Sequence, residues 1–145
     1  MYLFDENFAP IDVEALKDEL KEDQLKDTWT DEIDEGELEY ELAEMYLTAA
    51  DATAHSYYSS EKLARLASER ALAFSPALAG KNIFRRVRTF VCKFLKEGST
   101  LGEIVDAVLE ALSSILPGGI IIEKVVKKLV RFIINRGLTR FCGWE

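Results

Sequence analysis

Apolar positions recur at helical spacing along almost the whole chain. Asp12 can cap a first helix in which Val13, Leu16 and Leu20 form a narrow stripe, a pattern that predicts a peripheral helix. Residues 27–36 break the period and read as an acidic linker, with Asp34 and Glu37 as a capping pair for the next helix. From Glu37 to Tyr58, Leu38, Leu42, Tyr46, Leu47, Ala50, Ala54 and Tyr57 share one side, while Glu37, Glu41, Glu44, Thr48, Asp51 and His55 share the other. Glu61–Phe74 continues as a second helix of an alanine-rich pair, and Ser75-Pro76 is expected to stop it.

The remaining residues predict three more helices. Over 83–96, Ile83, Phe84, Val87, Phe90, Val91, Phe94 and Leu95 make the apolar face, opposite Arg85, Arg86, Arg88, Lys93 and Lys96. Thr100 and Glu103 form a capping-box pattern for Leu101–Leu116, and Pro117-Gly118-Gly119 turns the chain into Ile120–Asn135. That last segment has an apolar arc of roughly 220°, wide enough for the centre of a bundle. Val126, Leu129 and Phe94 sit mid-arc and are expected in the core. Nothing reads as strand alternation, so the expected fold is all-α, a single domain of five or six helices. Its parts are a peripheral helix and acidic linker (1–36), an alanine-rich pair (37–80) and a three-helix apolar and basic half (81–145).

Charge sharpens this picture. Residues 1–80 hold twenty acids and six bases, and residues 81–145 hold six acids and twelve bases, within an overall net charge of −8. Apposition of the two halves is expected, with the cations of the 83–96 helix facing or neighbouring the acidic stripe. No apolar stretch reaches a bilayer span, and the opening residues lack a basic, apolar leader. Cys92 and Cys142 stand fifty positions apart without metal or redox spacing. Two reduced thiols in a cytoplasmic protein are therefore expected.

Glu69–Pro76 resembles the end of a tetratricopeptide-type helix pair, with Ala52, Ala64, Ala71 and Pro76 at about that repeat's spacing. The resemblance spans roughly a quarter of the chain and has no second copy, so no function is carried over from it.

Candidate chemistry is sparse. His55 follows Asp51 by one turn, but only serines in no catalytic arrangement lie near it. Cys92 has Arg88, Lys96 and Arg85 at helical spacing, which would lower its pKa if that face were open. No catalytic, metal or cofactor site is expected. The candidate partner-binding surfaces are the acidic stripe of Glu37, Glu41, Glu44 and Asp51 and the basic face of Arg85, Arg86, Arg88, Lys93 and Lys96. The expected function is a non-enzymatic adaptor or regulatory subunit that binds another protein, with self-association open. One alternative is a membrane-active effector using Leu101–Leu116 and Ile120–Asn135. Another is an acidic surface that imitates nucleic acid or docks a basic protein. The net charge argues against nucleic acid as a ligand.

Overall fold

The computed structural model describes residues 1–57 and 76–144. Among them are six α-helices: α1 (Val13–Asp23), α2 (Glu35–Tyr57), α3 (Pro76–Phe94), α4 (Leu101–Ile115), α5 (Glu123–Arg136) and α6 (Leu138–Cys142). Two three-residue strands, β1 (Tyr2–Phe4) and β2 (Ile120–Ile122), join them. The all-α bundle expected from periodicity is the fold found. The predicted Glu61–Phe74 helix, the Glu69–Ser75 part of the repeat-like segment and the His55 side chain lie outside the described residues.

Local chemistry sets several helix ends. The Asp12 carboxylate accepts the Glu14 amide at 3.2 Å and opens α1. Thr100 and Glu103 complete the capping box of α4, through Glu103 N–H to Thr100 Oγ1 at 3.2 Å and Thr100 N–H to Glu103 Oε1 at 2.9 Å. Asp34 accepts the Gly36 amide at 3.3 Å at the start of α2. Glu37, its expected capping partner, reaches Lys128 on α5 instead.

Three boundaries differ from those the periodicity predicts. α3 is described from Pro76 onward, ahead of the expected start near Ile83, and it runs through the expected division at residue 80. Ile120–Ile122 is strand, because Gly118 and Gly119 at φ +66° and +65° end the preceding turn and three β-branched residues come next. It pairs in parallel with β1 in the register Tyr2–Ile120, Leu3–Ile121 and Phe4–Ile122. The expected linker contains a 3₁₀ turn, Asp27–Thr30, whose Trp29 is buried. Arg131 holds that turn by donating to the carbonyls of Thr28, Trp29 and Asp31 at 3.3, 3.3 and 2.8 Å, and Asn135 donates to Trp29 at 2.7 Å.

The core lies where α2, α3, α4 and α5 meet. Leu38, Leu42, Val87, Val91, Val108, Leu112, Val126, Leu129 and Ile133 are fully buried there, and α1 adds Leu16 and Leu20 from across α4 and α5. On α2 the buried face also takes in Ala43, Met45 and Ala49, which lie outside the predicted apolar stripe. Phe94 is not a core residue: it is 64% exposed although Val91 and Leu95 beside it are buried, so the flank of α3 that carries Phe94 is left uncovered at the end of the helix. Among the described residues, no helix is long and apolar enough to cross a membrane.

Candidate functional site

The outer face of α3 is the most distinctive surface of the protein. Ile83, Phe84, Val87 and Val91, with Leu95 just beyond the helix, anchor its inner side in the core. Helical geometry then turns Arg85, Arg86 and Lys93 outward, with Lys96 following the helix, and all four are exposed. None of them makes an ion pair among the described residues. Phe94 stands beside them, its ring 4.8 Å from that of the half-buried Phe90. Cations and an exposed aromatic thus share one patch.

Arg88, expected on the same face, is placed differently. Its guanidinium carbon lies 4.9 Å from the Phe84 ring centre and 5.1 Å from that of Phe141, in cation–π contact with both. Glu35 lies 3.5 Å from Arg88 and 3.7 Å from Arg136, joining α3 to the end of α5. Arg88 is therefore a packing residue, on a flank of the helix already occupied.

Among the described residues, Glu37 and Glu41 of the acidic stripe do not meet the open cations of α3. Their partner is Lys128 of α5, whose ammonium lies 3.1 Å from Glu37 and 3.0 Å from Glu41. Burial pulls the Lys128 pKa down, but Glu41 and Glu37 outweigh it and hold it above the usual value. Glu44 is exposed and accepts from the Tyr40 hydroxyl, which raises the Tyr40 pKa, and Asp51 is exposed near the end of the stripe. The expected apposition of the two halves holds, but through Lys128 and Glu35, not through Arg85, Arg86 or Lys93.

Cys92 is not a reactive thiol. It is bonded to Cys142, with Cα atoms 5.6 Å apart, and neither cysteine is free. A separation of fifty residues offers no spacing rule by which to find this bond; it depends on α6 folding back onto α3.

A cleft of about 670 Å³ opens between α1, the 3₁₀ turn and the first half of α5, lined by Asp5, Asp23, Lys26, Trp29, Lys127 and Arg131 among others. Its charges are largely self-neutralised. Lys127 lies 2.6 Å from Glu19 and 3.2 Å from Glu123, Lys26 lies 3.0 Å from Asp23, and Arg131 serves the turn carbonyls. Burial pushes the Glu123 carboxyl up, and the neighbouring Glu19 adds to it; the hydrogen bond from Lys127 draws Glu19 down. Such a cluster is suited to joining helices. Among the described residues, no three His, Cys, Asp or Glu side chains are placed to hold a metal ion.

The segments suggested as a membrane-inserting hairpin supply the centre of the core, including Val108, Leu112, Leu129 and Ile133, so inserting them would require the bundle to open. No protein-family model matches the chain, and no curated protein or solved structure matches it either.

Proposed function

We propose that this chain is a non-enzymatic binding module, an adaptor or regulatory subunit, that docks a partner protein of acidic surface through the outer face of α3. One contrast carries the reading. Four of the five cations of α5, Lys127, Lys128, Arg131 and Arg136, have partners within the fold, with Lys124 exposed, whereas Arg85, Arg86, Lys93 and Lys96 are all exposed without an ion pair among the described residues, beside the 64% exposed Phe94. Exposed aromatics ringed by arginine and lysine are what charge-steered interfaces use as anchors. The Cys92–Cys142 bond favours an oxidising compartment over the cytoplasm expected from the cysteine spacing.

The test is affinity purification from the native cell with the wild type and an Arg86→Glu/Lys93→Glu/Phe94→Ala variant. All three positions are exposed, so folding should change by no more than about 0.5 kcal/mol per site. A specific acidic protein that co-purifies with the wild type and is lost with the variant is the expected result. An unchanged set of partners overturns the assignment of the face. Capture of the wild type by anionic vesicles, with no protein partner, would replace the adaptor reading with a membrane-surface one.

A further inference from the structure

We infer that α6 is a redox-released strap, held over the aromatic end of the bundle by the Cys92–Cys142 bond and freed when a dithiol reductant opens that bond. This goes beyond the docking reading and does not depend on it.

The geometry separates α6 from the rest of the core. The helix has five residues, too few to persist alone in water. It follows Gly137, whose φ of +87° and open surroundings, with nothing within 4 Å of where a side-chain carbon would stand, suit a hinge. Its one buried residue is Phe141, edge-on to Phe84 at 5.9 Å and to Phe132 at 6.3 Å, with the Arg88 guanidinium against it. Besides this ring contact and the partly buried Leu138, the disulfide ties α6 covalently to α3, and both cysteines are half-buried, within reach of solvent. By contrast, α2 to α5 supply the fully buried Leu, Val and Ile side chains of the core, to whose edge α6 adds Phe141 and the partly buried Leu138 and Cys142. Losing the strap should therefore leave the bundle standing.

The step balances as thiol–disulfide exchange. A thiolate of the dithiol attacks one cysteine sulfur, the Cys92–Cys142 bond breaks, and the second thiol of the reductant closes its own disulfide. Two electrons and two protons pass to the protein, leaving two cysteine thiols. With the tether gone, α6 is held by Phe141 and by the partly buried Leu138 and Cys142, and its departure uncovers Phe84, Phe132 and the flank of Arg88.

Hydrogen exchange on the full chain, with and without dithiothreitol, tests this. In the closed state the Phe141 amide donates to Gly137 at 2.9 Å and the Trp144 amide to Thr139 at 3.0 Å, so both should be protected. Reduction should speed exchange at those two amides by about tenfold or more while α4 and α5 keep their protection, and both thiols should then alkylate. A Cys92→Ser/Cys142→Ser variant should match the reduced protein. Unchanged protection at Phe141 and Trp144 after reduction would show a staple and no strap. Protection lost through every helix at once, or a disulfide that dithiothreitol cannot open under native conditions, would overturn the proposal equally.

Discussion

Replacing Gly80 with alanine puts the packing of α2 against α3 to a direct test, because local and tertiary effects there have opposite signs. Gly80 is buried within α3, and a side-chain carbon built on it would lie 2.1 Å from the Glu39 carbonyl oxygen and 2.6 Å from the carbonyl carbon. Ordinary contact begins near 3.4 Å, so the two backbones would have to part by more than 1 Å. The obstacle is main chain within α2, which cannot rotate aside as a side chain would. Helix propensity alone would make the alanine protein more stable by about 0.8–1.0 kcal/mol. Overpacking costs about 1–3 kcal/mol and more where backbone must move. We expect a net loss of about 1–3 kcal/mol, or roughly 3–10 °C in melting temperature for a chain this long. Gly102→Ala is the matched control: its side-chain carbon would meet nothing closer than Lys17 and Thr100 atoms at 4.0 Å, and it should be neutral or gain up to about 1 kcal/mol. Urea unfolding followed by far-ultraviolet circular dichroism measures both. If Gly80→Ala proves as stable as the wild type or more so, the close crossing at Glu39 is not there.

Leu129→Ala, at a fully buried position on α5, should cost about 2–5 kcal/mol in the same assay; a variant that unfolds like the parent would remove Leu129 from the core. Thr100→Ala, which breaks the capping box of α4, should cost about 0.5–2 kcal/mol, read as a shift in urea midpoint without a change in slope. The hydrogen bond from Lys127 lowers the Glu19 pKa from its usual 4.5, so its stabilising contribution is complete above that pH and fades as the pH falls through the lowered value. The excess stability of the wild type over Glu19→Gln should therefore be present at pH 7 and vanish in strong acid, and a difference independent of pH would contradict the pairing. Glu123, raised by burial and by Glu19, titrates with the opposite sign, so wild-type acid sensitivity should be shallower than Glu19 alone would give.

What the sequence made legible was local. Asp12 and the Thr100–Glu103 pair announced helix starts because their partners lie two or three residues away. Leu129 and Val126 were legible because a wide apolar arc has a centre that any neighbour must cover. Phe94 failed the same test, since periodicity tells which side faces inward but not how far neighbours cover each flank of it. The lack of a side chain at Gly80 answers to Glu39 in another helix, which no local pattern announces. The choice of Lys128 by Glu37 and Glu41, and of Cys142 by Cys92, is set by which helices lie side by side, and charge and cysteine spacing carry no such information. The open face of α3 was half legible: its cations were visible in the sequence, its exposed phenylalanine was not.

The parallel pairing of Tyr2–Phe4 with Ile120–Ile122 also orders events during translation. A ribosome releases the first strand long before its mate exists, so Leu3 must wait, unpaired and apolar, until the Pro-Gly-Gly turn and the three isoleucines have left the exit tunnel. In the meantime α1 and α2 can form locally, but neither can bury its face without α3, α4 and α5. Closing a loop this long is slow compared with forming a helix. Until α5 has followed the second strand out of the tunnel, the nascent chain is a set of helices without a core, in the state where a chaperone that binds exposed leucine and isoleucine would find it.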